Sequence, residues 1–395
     1  MSQVSCQKCP PISVLQWKPE NSHWHQRWVD SDEFHSDDGC QAIYAESQIC
    51  IILASANDIR ACISCRNSFT KTFSIPQIWW SDYCRNSNGY LGSDISRHNG
   101  VITGFSTWAY FEVKHLDAKM QYQWHKMNLF IRWLAPTKQT IILAFDTRSP
   151  VAERIPDSLQ NPDSSCLGDP FWVYARLASD VVDLQDSAVW AIRNQVRAIE
   201  TERKPKGKPQ PDYRHLHDVA RHAIHVTESL NVAAESMGGI LAQHDEFLSQ
   251  NFPTQMIQID ASETIHRQLL FCRHMLNNLR HRSISNRERL QNEIQLAFNT
   301  VAQYDAGISV QIGRAAQSDG ASMRKVAFVT MMFLPATFLS AVFSMSFFDF
   351  QADSDSWNVS SKFWIYWVFA IPITIASSLL WYFWHRVFPL TLMEH

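Results

Sequence analysis

Two stretches of the chain, residues 326–348 and 363–384, contain no Asp, Glu, Lys or Arg. At ~1.5 Å rise per residue, a run of about 22 residues reaches across a hydrocarbon core of ~30 Å. Helices buried in soluble cores rarely stay uncharged over such a length, so both stretches read as membrane helices. The second carries Trp364, Tyr366 and Trp367 near one end and Trp381, Tyr382 and Trp384 near the other. Aromatic rings favour the two interfaces of a bilayer, where an apolar body and a polar edge are both accommodated.

Orientation follows from the flanking charges. Arg324 and Lys325 precede the first run and Arg386 follows the second, whereas the connecting loop holds Asp349, Asp353 and Asp355 against Lys362. The positive-inside rule then puts both termini in the cytosol and the acidic loop outside. Asn358-Val359-Ser360 matches a glycosylation sequon but lies so close to the second span that it is expected to go unused. The first residues show no basic segment followed by an apolar one, so insertion is expected to begin with the C-terminal spans. Lys and Arg total 35 against 38 Asp and Glu, a balance with no pull toward nucleic acid.

Before the membrane the chain changes character along its length. In residues 1–185, SQICIILASAN, TGFSTWAYFEVKH, NLFIRWLA and QTIILAFDT read as strands by their β-branched and aromatic content. Polar or Pro-containing pieces such as RSPVAERIPDSLQNPDSS separate them, giving an α/β cytosolic domain. Residues 186–261 form a helical region with a basic linker at 201–211, TERKPKGKPQP, read as a solvated connector. Val189, Ile192, Val196 and Ile199 carry the helical spacing before it. A second helix from Tyr213 ends by Asn251-Phe252-Pro253. Residues 262–325 form a long stalk helix without proline, of coiled-coil length. Then come the first span (326–348), the external loop (349–362), the second span (363–384) and a cytosolic tail (385–395).

Cysteine usage leaves one question. Cys6-x-x-Cys9 and Cys62-x-x-Cys65 are two CxxC pairs, but the gap between them far exceeds that of a compact zinc ribbon. Cytosolic thiols without a metal are the favoured reading. His23, just before the acid-rich stretch WHQRWVDSDEFHSDDGC, and His25 and His35 within it read as part of a solvated acidic loop. No GxxxxGK[ST] loop and no catalytic triad spacing is present, so no enzyme activity is expected.

One face of the long helix is stripped of bulk. Thr330, Thr337 and Ser344 recur seven apart, and the series runs backward as Ala341, Leu334, Ala327, Met323, Gly320, Ala316, Gly313, Ser309, Ala306 and Ala302. Small residues at alternating spacings of three and four admit close helix pairing. Alternatively, several copies surround an axis and the same residues line a narrow wet path, with Met323 and Leu334 as constrictions. Continuity from 302 to 344 favours the axis. Pro335 lacks an N–H for the Met331 carbonyl, a defect tolerated where neighbouring helices or water satisfy the backbone. One chain offers one such helix, so a pore requires a homo-oligomer.

FLPATFLSAVFSMSF resembles the end of the first transmembrane helix of CorA-type magnesium transporters. There a Phe-hydrophobic-Pro-x-Thr core leads to a Gly-Met-Asn signature. SAVW-x-x-R-x-x-VRAIE, RSISNRERLQNEIQLAF, SDGASMRKVAFVTMMFLPATF and WNVSSKFWIYW are similar to the fungal CorA-like branch, over roughly residues 185–385. The resemblance implies a homopentamer in membrane lipid, with first spans lining a pore for Mg²⁺ or another divalent cation as the transported ion. The plasma membrane is favoured over the mitochondrial inner membrane. It assigns Met323, Val326, Thr330, Leu334, Thr337, Ala341 and Ser344 to the pore. The signature departs: Ser344, Met345 and Ser346 stand for Gly, Met and Asn. In the family the asparagine meets hydrated Mg²⁺, whose waters are tightly held; a serine hydroxyl can bind such a water but is shorter and lacks the amide carbonyl. Asp349, Asp353 and Asp355 would concentrate cations at the mouth. A stalk aspartate of the family corresponds to Ser309; Asp305 and Asp319, nearby, read as ordinary exposed acids. The alternative is a degenerate, non-conducting member that acts as a membrane-anchored scaffold or sensor.

Overall fold

A computed structural model describes residues 9–18, 23–30, 33, 43–45, 47–117, 121–201, 208–249, 259–344, 348–351, 356–359 and 361–387. It divides into two compact units, Met1–Phe298 and Asn299–His395. The division falls inside the stalk helix, well beyond the end of the strand-rich region.

The first unit is built on a seven-stranded sheet in the order β2-β1-β3-β7-β6-β5-β4. Its strands are β1 (Ile12–Trp17), β2 (Trp24–Val29), β3 (Ile49–Ala54), β4 (Gly89–His98), β5 (Val101–Leu116), β6 (Tyr122–Leu134) and β7 (Gln139–Phe145). Only β3 and β7 pair in parallel; every other neighbour is antiparallel. The four strands read from sequence lie at β3, β5, β6 and β7. WHQRWV, assigned from sequence to a solvated loop, is instead the edge strand β2. Its register sets His25 opposite Gln16 of β1, and its exposed polar residues suit a sheet edge. His35 lies outside the described residues.

Successive side chains along a strand point to opposite faces, and here each face has its own core. Ile49 and Ile51 of β3 join one cluster, while Cys50 and Ile52 join the other. β7 is buried at every position, as expected for a central strand covered on both sides. One face is covered by α1 (Ala56–Ala61), α2 (Ile63–Phe73) and the short 3-10 turn Gln77–Trp80, through Phe69, Phe73, Trp79 and Trp80. A short helix, α3 (Val151–Ser158), occupies part of the segment read as a polar connector.

The other face is covered by α4 (Trp172–Thr201), α5 (Tyr213–Ser249) and the first turns of α6 (Ile259–Phe343). α4 begins within the region read as strand-rich, and buries Val189, Ile192 and Val196. In α6 the residues Ile265, Leu269, Cys272, Leu276, Leu279, Ser283, Asn286 and Leu290 are all buried, alternating four and three apart as in a packed helical seam. Two polar contacts join this seam to its neighbours: Asn286 Nδ2 donates to the Val189 carbonyl at 3.3 Å, and the Thr227 and Ser283 hydroxyls meet at 2.8 Å. At the end of α4, Glu200 receives Nε of Arg289 at 2.8 Å.

The second unit holds the rest of α6, a hairpin of β8 (Phe348–Gln351) and β9 (Ser356–Val359), and α7 (Trp364–Val387). Two helices, spanning Ile259–Val342 and Trp364–Trp384, contain windows long and apolar enough to cross a membrane. α6 runs through Pro335 without interruption. α6 and α7 meet where the Phe328 and Trp381 rings lie 4.8 Å apart and Tyr366 Oη donates to the Ala336 carbonyl at 3.2 Å.

Candidate functional site

Within the apolar part of α6, Met323 is 73% exposed, Val326 66% and Leu334 60% in the single chain. Thr330, Thr337 and Ala341 are exposed as well. α7 therefore leaves the small-residue stripe open, and residues this apolar require lipid or further helices around them. The stripe also takes a different heptad position from the buried seam that ends at Leu290: continued from 265–290, the seam falls at 297 and 304, the stripe at 302 and 306.

The hydroxyls on this face are bonded within their own helix. Thr330 Oγ1 donates to the Val326 carbonyl at 2.9 Å, and Thr337 Oγ1 lies 3.0 Å from the Phe333 carbonyl and 2.9 Å from that of Leu334. With its proton turned toward the helix, each oxygen keeps only lone pairs for anything beside the face. Ser309 follows the same pattern, donating to the Asp305 carbonyl at 2.9 Å. Asp305 and Asp319 are exposed on the helix.

At the far end, Ser344 is the turn residue after α6, its N–H bonded to the Ser340 carbonyl at 2.8 Å. Met345, Ser346, Asp353 and Asp355 lie outside the described residues. Asp349 is in β8, opposite Asn358 of β9.

The first unit holds polar features that strand patterns do not reveal. A cavity of about 360 Å³ opens at the carboxyl ends of the parallel pair β3 and β7, lined in part by Ser13, Gln26, Asp58, Asp146 and Arg148. Asp146 has a left-handed backbone, and its Oδ1 accepts the Ala56 N–H at 3.0 Å; it ties the end of β7 to the start of α1. Beside that cavity, the sulfurs of Cys9, Cys62 and Cys65 converge within 4.8 Å of one another. Sequence spacing favoured separate thiols; packing of α1 and α2 against β3 closes the long gap. Elsewhere, Asp169 and His244 form a buried pair that also reaches His266. Its members stand far apart in sequence, so no local motif announces it.

No protein-family profile matches the chain. The curated relative described as notoamide biosynthesis cluster protein M′, from Aspergillus versicolor, is 31% identical over 288 residues. That match takes in 68% of this chain but spans only 61% of the relative's length. Among solved structures, one described as the full-length CmaX protein aligns over 96% of this chain and 97% of its own, with 14% identity and a TM-score of 0.47. The cytoplasmic domain of ZntB from Vibrio parahaemolyticus covers 75% of this chain and 98% of its own, with 7% identity and a TM-score of 0.40. Likenesses at these scores do not bear on function.

Proposed function

We propose that the chain is a subunit of a CorA-like, homopentameric membrane channel for divalent cations, Mg²⁺ being the expected ion. The observation that carries this reading is the open face Thr330-Leu334-Thr337-Ala341, whose two hydroxyls donate inward to α6. A hydrated cation presents water protons outward, so it is met best by acceptors. Oxygens whose own protons are committed to the helix are acceptors only, and five copies around an axis would make rings of them. Leu334, one turn from each threonine, supplies an apolar constriction between the rings. The acidic residues Asp349, Asp353 and Asp355 would raise the local cation concentration at the external mouth. Both termini lie in the cytosol in this arrangement, with the plasma membrane favoured.

Flux of Mg²⁺, Co²⁺, Ni²⁺ and Zn²⁺ into proteoliposomes tests the proposal. Wild-type protein should pass Mg²⁺, and Thr337→Phe and Ser346→Leu should each abolish flux while the oligomer survives. Flux unchanged in both variants would remove these residues from the path. The serine in place of the signature asparagine favours a second reading, a non-conducting scaffold or sensor. No flux from a confirmed pentamer would select it.

A further inference from the structure

Cys9, Cys62 and Cys65 come from both CxxC pairs of the sequence, and their sulfurs all lie within 4.8 Å of one another. Cys9 Sγ and Cys65 Sγ are 3.4 Å apart, well beyond the ~2.05 Å of a disulfide. A tetrahedral Zn²⁺ with Zn–S distances of ~2.3 Å sets its sulfurs ~3.8 Å apart. The sulfurs, 3.4 Å apart in one pair and all within 4.8 Å, lie close enough to share one tetrahedral ion after small side-chain shifts.

Local structure supports the same chemistry. Cys62 is both the last cap of α1 and the N-cap residue of α2. Cys65 sits in the first turn of α2, an 11-residue helix. Cys9 arrives from the segment before β1, where Pro10 and Pro11 restrict the backbone. Cys50 offers a contrast within the same domain. Burial pushes its thiol up to about 12, and its Sγ stands 4.0 Å from the Ile43 carbonyl, as an inert core thiol does.

We propose that Cys9, Cys62 and Cys65 bind a Zn²⁺ ion that clamps the chain's amino-terminal segment to the α1–α2 junction. Thiolates select borderline and soft ions over Mg²⁺, so this site is chemically distinct from any path for a hard cation and does not depend on conduction. Binding displaces the thiol protons and joins segments 53 residues apart. Cys6 precedes Cys9 at CxxC spacing but lies outside the described residues; it enters only through the experiment.

The test uses the full chain purified in detergent under reducing conditions. Metal analysis should find one Zn²⁺ per chain. Replacement by Co²⁺ should give the thiolate-to-cobalt charge-transfer band and the intense visible absorption of a tetrahedral site. Cys62→Ser and Cys65→Ser should each lose the metal, and Cys84→Ser, outside the cluster, should keep it. A weaker charge-transfer band in Cys6→Ser would support the site with Cys6 as a fourth ligand; an unchanged band would support it with a non-cysteine fourth ligand. Should the serine variants misfold, alkylation of wild-type protein gives the same answer. Cys9, Cys62 and Cys65 should be protected with Zn²⁺ and modified after chelation, with Cys84 as the internal reference. Absence of both bound Zn²⁺ and a cobalt spectrum, retention of metal by Cys62→Ser and Cys65→Ser, or a Cys9–Cys65 disulfide in zinc-supplemented protein would each overturn the proposal.

Discussion

His244 and Asp169, 75 positions apart, meet with Nε2 2.9 Å from Oδ2, and their side chains are 0% and 1% exposed. The other carboxylate oxygen accepts the Phe171 N–H at 2.8 Å. On the far side of the ring, Nδ1 of His244 lies 3.3 Å from Nδ1 of His266. His266 Nδ1 also stands 3.4 Å from Asp245 Oδ1, so it lies between the His244 ring and that carboxylate. Asp169 orients the His244 ring and ties the end of α5 to the start of α4.

Removing Asp169 leaves the buried Nε2 of His244 without its hydrogen-bond partner. Asp169→Ala should therefore cost about 1–3 kcal/mol of stability, read as a lower midpoint of thermal or denaturant unfolding of the full chain in detergent. A midpoint equal to wild type would mean that the pair contributes packing alone.

Gly313 separates monomer stability from assembly. A Cβ built there meets nothing within 4 Å in the single chain, and replacing a helical glycine gains roughly 1 kcal/mol of helix propensity. Gly313→Leu should leave the subunit folded yet weaken or split the oligomer, as read by native mass spectrometry. An intact oligomer would mean that the stripe faces elsewhere.

Close approach of a different kind occurs at Gly92 in β4. A Cβ there would stand 2.3 Å from the indole of Trp108, a ring stacked on Phe130 at 6.0 Å between centroids. Gly92→Ala should cost about 1–3 kcal/mol. Combining it with Trp108→Val should recover part of that loss; a purely additive double variant would assign the cost to the backbone instead.

His222 gives a pH dependence of defined sign. It is 4% exposed, and its pKa is lowered to about 4 by burial, then by Lys114 and Arg221, with His225 adding to the effect and Asp218 opposing it. The unfolded chain takes up a proton near pH 6.5 that the folded chain refuses. The stability contributed by neutral His222 is therefore complete above pH 6.5 and declines as pH falls toward about 4. His222→Phe should flatten this part of the stability profile by up to about 1.4 kcal/mol per pH unit. An unchanged profile in the variant would assign the slope to other groups.

The legible parts of the fold were those whose side chains repeat on one beat. ICIILA and QTIILAF announce buried strands because β-branched residues fill both faces, and the apolar stretches announce helices long and apolar enough to cross a membrane. β2 and β4 did not, since WHQRWV and GYLGSDISRH carry the polar residues and glycines of edge strands. The open face of α6 was visible as a spacing of three and four. The convergence of Cys9 with Cys62 and Cys65 was not, because it requires α2 to lie on β3, and no local pattern encodes that placement.

The single parallel pairing in the sheet also bears on how the protein matures. β4 through β7 form a continuous meander, and β1 through β3 another antiparallel group, so each half can assemble from contacts close along the chain. The two halves share one seam, Ile49–Ala54 against Thr140–Phe145, which can close only after the intervening segment has left the ribosome. Non-local pairing of this kind is slow relative to hairpins. During synthesis the β1–β3 group would wait with the edge of β3 uncovered, a natural point for a holdase to bind and for a truncated chain to aggregate.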